Sequence, residues 1–370
     1  MNPVANGRPP FRADHIGSLL RPPALRKAFR DHASGALSDD AFRAVQDAAI
    51  REVVRLQADC GMRVATDGEF RRISYWEKFV RLTEGLTVKE ANFRFHDAHG
   101  HETEFTAPYA TARLGRGTPI TLDEFTFLQA ETRATPKITM PAPSTMHFYR
   151  YREFADPKVY PDARGFFADL GMVYQQEIAD LAKAGCRYVQ LDEVALAVLC
   201  DPAARAKLRA DKVDAESLVD LYVAAINEAV KSRPADMVIG IHMCRGNYKG
   251  MYLSEGGYDS VAEKLFGMAN VNHFLLEFDT PRAGDFAPLR HIPKTKGVVL
   301  GLVSSKLPQL EPIDTLKRRA DEASKYVDTA RLAISPQCGF ASTIGGNPVT
   351  EADERAKLRL CVDAAQTIWG

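Results

Sequence analysis

The chain has 370 residues, of which 45% are hydrophobic and 26% are charged, enough to bury a sizeable core in one large domain or two ordinary ones. Lysine plus arginine and aspartate plus glutamate both number 48, so the formal net charge is zero. No field of one sign is available to recruit nucleic acid or an anionic membrane, and small molecules are the expected partners.

The N-terminal residues have neither a basic start followed by an apolar segment nor a small-residue cleavage site, and no run of about 18 apolar residues occurs. We therefore expect a cytoplasmic protein. The six cysteines are too sparse in so long a chain for a disulfide framework. Free thiols or metal ligands are the better interpretation of these residues.

Two segments near the N-terminus predict the first strands of a parallel sheet. They are His15–Ser18 and Arg63–Gly68, and between them Asp39–Cys60 has the three- and four-residue apolar spacing of a helix. The stretch Thr87–Phe105 has a roughly alternating pattern and carries three of the nine histidines. This pattern predicts a β-hairpin inserted between the second and third βα units.

From about residue 130 onward, short β-branched runs alternate with longer helical patterns, as a parallel sheet with crossover helices requires. With the two earlier segments, the predicted strands number eight, so we expect residues 1–370 to form a single (β/α)₈ barrel domain. The later predicted strands are Lys137–Pro143, Tyr188–Val194, Val238–Cys244, His273–Asp279, Gly297–Val303 and Leu332–Cys338. The later predicted helices are Phe166–Ala184, Glu216–Lys231, Pro312–Tyr326 and Glu351–Trp369.

The reactive groups of such a barrel lie at the C-terminal ends of its strands, where the βα loops open. His242 and Cys244 are two residues apart at the end of the fifth strand and point to the same side, and Cys338 follows the eighth strand. All three have the chemistry of zinc ligands. Glu277 is the candidate fourth ligand, because a carboxylate inside the apolar run FLLEF is costly without a partner.

Two thiolates, one carboxylate and a neutral imidazole would leave zinc with a net charge of roughly minus one. Such a site is a poor Lewis acid for water, but it can exchange its oxygen ligand for a thiol that loses its proton on binding. A free thiol with a pKa of about 8.5 is only slightly ionised at neutral pH, so the metal supplies the activation. The pattern predicts a zinc enzyme that transfers a methyl or other alkyl group to a small thiol.

Simpler interpretations stay open for several of these residues. A lone His-x-Cys pair is more often a coincidence, and a purely structural zinc would favour closely spaced cysteine pairs. Asp192 and Glu193 could be helix N-cap residues. The hairpin residues His96, His99 and His101 could imitate a metal cluster, although a solvated face is the better interpretation. The four remaining cysteines fall in surroundings typical of a core: Cys60, Cys186, Cys200 and Cys361.

Six segments resemble the catalytic domain of cobalamin-independent methionine synthase, particularly its short, single-domain relatives. They cover nearly the whole chain in the expected order. The segments are DHIGSLLRP (14–22), VATDGEF (64–70), YVQLDEVAL (188–196), HMCRGNY (242–248), LLEFDTPRAGDF (275–286) and SPQCGFAST (335–343).

This resemblance implies a (β/α)₈ barrel in which zinc binds the sulfur of homocysteine. The backbone of Ile16 and the side chain of Ser18 would hold the polar end of the amino acid, while Glu69 and Asp192 would take its ammonium. Two carboxylates facing one cation discriminate against thiols that lack the amine. The implied zinc ligands are His242, Cys244, Glu277 and Cys338.

Two departures from the family pattern concern the methyl donor. The full-length members of the family have a histidine after the seventh strand that helps to protonate the departing folate. This chain has Val303 and Ser304 at that place. We therefore assign no proton donor. The family's tryptophan-containing segment is here MPAPSTMHFYRY, with His147, Phe148 and Tyr149. We also expect no counterpart of the duplicated N-terminal barrel, which leaves polyglutamylated folate in question as the donor.

These observations favour a zinc-dependent S-methyltransferase that makes methionine from homocysteine, similar to the 5-methyltetrahydropteroyltriglutamate-homocysteine S-methyltransferases. Its donor stays open between a folate, a methylcobalamin-bearing protein and another small methyl compound. One alternative is a zinc alkyltransferase acting on another thiol, as in the epoxyalkane:coenzyme M transferases that the family resembles. Two others are a non-catalytic zinc- or thiol-binding protein and a decarboxylase of the porphyrinogen type.

Overall fold

A computed structural model describes residues 7–97 and 99–370 of the chain. Residues 1–6 of the predicted domain and residue 98 of the predicted hairpin lie outside the described residues. The strands are β1 (Val64–Ala65), β2 (Glu84–Glu90), β3 (Phe95–His96), β4 (Glu102–Thr103), β5 (Thr106–Gly115), β6 (Thr135–Pro136), β7 (Ile138–Pro141), β8 (Tyr188–Asp192), β9 (Val238–Met243), β10 (His273–Glu277), β11 (Gly297–Val303) and β12 (Leu332–Pro336). The α-helices are α1 (Pro23–Ala33), α2 (Asp39–Asp59), α3 (Glu77–Leu82), α4 (Leu122–Glu131), α5 (Ala163–Lys183), α6 (Ala195–Val198), α7 (Pro202–Ala210), α8 (Ala215–Val230), α9 (Asp259–Met268), α10 (Ile313–Ala323) and α11 (Glu351–Trp369).

Strands β7 to β12 form one parallel sheet in the order of the sequence, because each connection carries the chain back to the starting edge of the next strand. Strand β6 leads directly into β7 and pairs in parallel with β1. At the opposite edge of the sheet, Ala13 makes a parallel bridge to Ile334 of β12. The chain therefore has the predicted α/β architecture of a (β/α)₈ barrel.

The first strand of the barrel differs from the prediction. His15–Ser18 does not form a regular strand, and Ala13 supplies the bridge to β12 instead. Side chains of neighbouring units donate hydrogen bonds to the carbonyl oxygens that the backbone of an adjacent strand would otherwise pair. Lys137 Nζ donates to His15 O, Gln190 Nε2 donates to Ile16 O at 2.6 Å, and Thr66 Oγ1 donates to Gly17 O at 2.6 Å.

The later elements agree closely with the prediction. Strand β11 has the predicted bounds, and so does α11, which begins after a capping box formed by Thr350 and Asp353. The inserted hairpin is also confirmed but is longer than predicted, because β2 and β5 pair in antiparallel register from Glu84 to Gly115. Within the part of the chain that the structure describes, none of the helices has the length and apolar character that a membrane crossing needs.

The core holds the four cysteines that were predicted to be apolar packing residues. They are buried, and each is a free thiol. A small inner cluster also joins the first segment of the chain to β10, β11 and β12 through Ile16, Leu275, Val299 and Ala333. This packing connects the irregular first segment to the regular side of the barrel.

Candidate active site

A cavity of about 950 Å³ opens where the strands of the barrel end, which is the face that carries reactive groups in this fold. Every site residue predicted from the sequence lines this cavity except Glu277. The lining set includes Ile16, Ser18, Glu69, Asp192, His242, Cys244 and Cys338. The structure thus brings together residues from five separate βα units.

His242, Cys244 and Cys338 form a buried cluster whose potential ligand atoms all lie within 4.8 Å of one another. The two sulfur atoms are 3.5 Å apart, much farther than the roughly 2 Å of a disulfide, and both thiols are free. His242 Nδ1 lies 3.1 Å from the carbonyl oxygen of Leu275. Its Nε2 atom is buried and has no hydrogen-bond partner among the described residues. This donor set fits zinc.

Glu277, the predicted fourth ligand, lies outside that group of atoms. Its Oε1 atom is 2.9 Å from Arg282 Nη2, and its Oε2 atom accepts a hydrogen bond from the Arg245 N–H at 2.7 Å. Burial raises the pKa of the Glu277 carboxyl, but the cations of Lys306, Arg245 and Arg282 together lower it below its ordinary value. The carboxylate is therefore ionised and already paired.

Glu69 and Asp192 place two carboxylates at the base of the cavity. Glu69 Oε1 accepts a hydrogen bond from Thr139 Oγ1 at 2.7 Å and lies 3.7 Å from Arg72 Nη1, whereas its Oε2 is buried and unpartnered within the described residues. Asp192 is directly opposite His242 in the register of β8 and β9. Burial raises the pKa of Asp192 to about 7. A cation in this part of the cavity would stabilise both carboxylates.

Ser18 lies against the residue that follows Cys338. A Cβ atom built on Gly339 would collide with the Ser18 hydroxyl. Glycine at this position therefore lets the hydroxyl of Ser18 and the sulfur of Cys338 share one wall of the cavity.

The adjacent acids Asp192 and Glu193 have different surroundings. Asp192 lines the cavity, whereas Glu193 Oε1 accepts a hydrogen bond from the Leu196 N–H at 2.8 Å, in the first turn of α6. Glu193 Oε2 accepts a second hydrogen bond from Ser144 Oγ. The N-cap residue of α6 is Val194, so the N-cap interpretation is wrong for both acids, although Glu193 pairs with an N–H of the first turn from the position before the N-cap.

The upper part of the cavity is largely aromatic and apolar, and most of it was missed in the sequence. Phe95 and Phe105 of the hairpin have ring centroids 5.0 Å apart. Of the three aromatic residues noted after the third strand, Tyr149 lines the cavity, while His147 and Phe148 are buried in the core. The other residues of this wall are Tyr75, Trp76, Leu86 and Val88. No spacing pattern in the sequence indicates these four residues, because the loop before α3 and the hairpin bring them to the cavity from outside the barrel strands.

Val303 and Ser304 do not line the cavity. Val303 is buried at the end of β11, and the Ser304 N–H donates a hydrogen bond to Glu311 Oε1 at 2.8 Å.

The hairpin histidines are also separate from the site: His99 and His101 are exposed, and His101 pairs with Asp97 at 2.7 Å. The prediction of a solvated hairpin face is confirmed for these two residues.

Fold and site together define a (β/α)₈ barrel protein with a thiol and imidazole cluster and two buried carboxylates in one cavity at the mouth of the barrel. Residues 11–367 match the model of the family described as cobalamin-independent synthase, catalytic domain. The chain belongs to this family, that of the cobalamin-independent methionine synthases, as the sequence motifs predicted.

Relatives support the assignment over nearly the full chain. The chain is 37% identical over 365 residues to the uncharacterized protein YxjH of Bacillus subtilis (strain 168), covering 97% of this chain and 95% of that protein. It is 28% identical over 330 residues to the methionine synthase of Pyrococcus horikoshii, covering 88% and 85% of the two chains. The crystal structure of the putative vitamin-B12 independent methionine synthase from Listeria monocytogenes is similar with a TM-score of 0.76 at 32% identity, covering 99% and 100%.

Proposed function

We propose that this protein methylates the sulfur of homocysteine to give methionine. The observation that carries the proposal is the shared cavity of His242, Cys244 and Cys338 with the buried carboxylates of Glu69 and Asp192. A thiol-activating metal site and an ammonium-binding site in one pocket match the two ends of an amino acid thiol.

Zinc is the proposed cofactor, with His242, Cys244, Cys338 and Glu277 as its ligands. The unpartnered His242 Nε2 and the two adjacent free thiols support this metal, because thiolate and imidazole are the donors that zinc prefers. When bound, zinc would lower the pKa of an incoming thiol and keep its sulfur nucleophilic.

The protein side chains would orient homocysteine. The free Oε2 of Glu69, the carboxylate of Asp192 and the Ile16 backbone carbonyl would accept hydrogen bonds from the ammonium, and the Ser18 hydroxyl would donate to the carboxylate of the amino acid. The substrate thiol would then face the His242, Cys244 and Cys338 cluster. The aromatic wall above it would exclude water and receive the methyl donor.

The test supplies zinc-loaded protein with homocysteine and, separately, 5-methyltetrahydrofolate as mono- and triglutamate, methylcobalamin and S-methylmethionine. Mass spectrometry should detect methionine with at least one donor. Absence of methionine with every donor, at full zinc occupancy, would contradict the proposal.

A double variant distinguishes homocysteine from a thiol without an amine as the substrate. The double variant Glu69→Ala with Asp192→Ala should raise KM for homocysteine by about 100-fold or more, because two charged hydrogen bonds are lost. If coenzyme M is alkylated instead and the double variant keeps that activity, the enzyme is an alkyltransferase for another thiol.

A further inference from the structure

Gln190 is a buried amide in β8 that touches two groups of the proposed amino acid pocket. Its Nε2 atom donates hydrogen bonds to the Ile16 carbonyl oxygen at 2.6 Å and to Asp192 Oδ1 at 2.7 Å. The side chain is 0% exposed. One amide therefore joins the irregular first segment of the barrel to the carboxylate at the end of the fourth barrel strand.

The orientation of this amide is fixed by a charge behind it. Gln190 Oε1 accepts a hydrogen bond from Lys137 Nζ at 3.0 Å. An ammonium group can only donate, so the amide oxygen must face Lys137 and both amide hydrogens must face the pocket. Lys137 is itself buried and paired with Asp14 at 2.8 Å. Rotating the Gln190 amide by half a turn would set two N–H groups against the lysine.

The fixed amide constrains the two groups that it contacts. A carboxylate on a strand end can rotate about its last side-chain bond, and the hydrogen bond to Oδ1 restrains Asp192 in one orientation. The second hydrogen bond holds the Ile16 carbonyl, which has no strand partner of its own. Gln190 therefore fixes the relative position of the two sides of the pocket without lining it.

We propose that Gln190 is a positioning residue that sets the preference of this site for thiols carrying an α-ammonium group. This inference rests on the proposed function, since it takes Asp192 and Ile16 as contacts of the amino acid. Losing the amide donors frees Asp192 to rotate and the first segment to shift, which weakens binding of the ammonium end. Contacts to the sulfur end are unaffected, because Gln190 makes no hydrogen bond to His242, Cys244 or Cys338.

Calorimetry tests this inference without a methyl donor. Zinc-loaded wild-type protein and Gln190→Met are titrated with homocysteine and with 4-mercaptobutyrate, which lacks only the amine. Wild type should prefer homocysteine, and Gln190→Met should lower that preference by about 10-fold or more, with 4-mercaptobutyrate affinity changed by less than about 2-fold. A purely structural role would weaken both thiols alike.

Gln57→Met is the matched control, because Gln57 is an equally buried glutamine whose amide bonds the backbone of Val53 and Thr66. Its preference for homocysteine should equal that of wild type. If Gln190→Met fails to fold by circular dichroism, Gln190→Glu keeps the acceptor for Lys137 while losing the donors, and the same loss of preference is expected.

Two results overturn the inference in distinguishable ways. A folded Gln190 variant that keeps the wild-type preference, or that weakens both thiols equally, refutes the positioning role while the proposed function stands. Wild-type protein that binds neither thiol, or binds both with equal affinity, refutes the proposed amino acid pocket and the role of Gln190 with it.

Discussion

The buried Glu277 and the half-buried Arg282 form an ion pair in which Oε1 and Nη2 are 2.9 Å apart. The second carboxylate oxygen accepts a hydrogen bond from the Arg245 N–H at 2.7 Å. A carboxylate engaged in this way must give up an existing contact before it can bind a metal. The atoms of His242, Cys244 and Cys338 are already grouped, so the proposed ligands divide into three that are preorganised and one that is exchangeable.

This division predicts different metal contents for two ligand variants. Cys338→Ser should lose zinc on dialysis, because it removes one of the three grouped donors. The Glu277→Gln protein should bind zinc at least about 10-fold more tightly than the Cys338→Ser protein, because it loses an exchangeable carboxylate ligand and not one of the three grouped donors. Elemental analysis after dialysis and competition with a colorimetric chelator measure both effects.

Cys361→Ala is the control for the metal experiment, because Cys361 is a buried free thiol outside the cavity. It should keep the zinc content of wild type. Equal zinc loss in Glu277→Gln and Cys338→Ser would show instead that all four ligands contribute alike. Full zinc retention in Cys338→Ser would rule out the proposed site.

Much of the barrel could be predicted because its later strands are short β-branched runs followed by helices with clear end signals. The capping box of Thr350 and Asp353 marks the start of α11 in the sequence itself. The first barrel strand was predicted incorrectly for a physical reason. The carbonyls of His15, Ile16 and Gly17 are paired by side chains from other units of the barrel, and the periodicity of one segment does not reveal such partners.

The site could be predicted only in part for a similar reason. His242 and Cys244 are close in sequence, and strand ends indicate where such groups gather. The contacts around Glu277 depend on Arg282, whose side chain turns back from the loop after β10. Trp76 reaches the cavity from the loop before α3, and Phe95 reaches it from the inserted hairpin. Such placements are set by tertiary packing and not by local pattern.

Arg21 is a second positioning group, and it leads to a prediction about stability. Arg21 is 3% exposed, and its guanidinium donates four hydrogen bonds to backbone carbonyls of two βα loops. These acceptors are Glu69 at 2.9 Å, Arg72 at 2.8 Å, Ala341 at 2.9 Å and Thr343 at 3.2 Å. Glu69 has a positive φ of 61°, a conformation that costs energy in a residue with a side chain. Arg21 holds this strained residue in place.

Arg21→Lys keeps the charge but cannot reach the four carbonyls with one ammonium group. The free energy of unfolding should fall by about 2–4 kcal/mol, and homocysteine affinity should fall because Glu69 is no longer held. Urea unfolding and calorimetry measure the two effects. Arg30→Lys, on the exposed side of α1, should change neither. An Arg21→Lys protein with wild-type stability would contradict the role assigned to the guanidinium.

Glu354, in the first turn of α11, is buried and makes the stability of the protein depend on pH. Its Oε2 atom accepts a hydrogen bond from the Leu20 N–H at 2.8 Å, while Oε1 is buried without a partner in the described parts of the chain. Burial raises the pKa of Glu354 from 4.5 to about 8. Between these values the folded state binds a proton that the unfolded state has released, so this contribution to stability is lost as pH rises toward and through 8.

Glu354→Gln removes this titration while keeping the shape of the side chain and the acceptor for Leu20. Relative to wild type, the variant should gain about 2–3 kcal/mol between pH 6 and pH 9, because wild type must ionise a buried carboxyl over that range. Other titrating groups are common to both proteins and cancel in the difference. Chemical denaturation at both pH values measures the gain, and Glu351→Gln, an exposed acid in the same helical turn, serves as the control. A difference between Glu354→Gln and wild type that stays constant with pH would mean that Glu354 is already ionised at pH 6 in the folded protein.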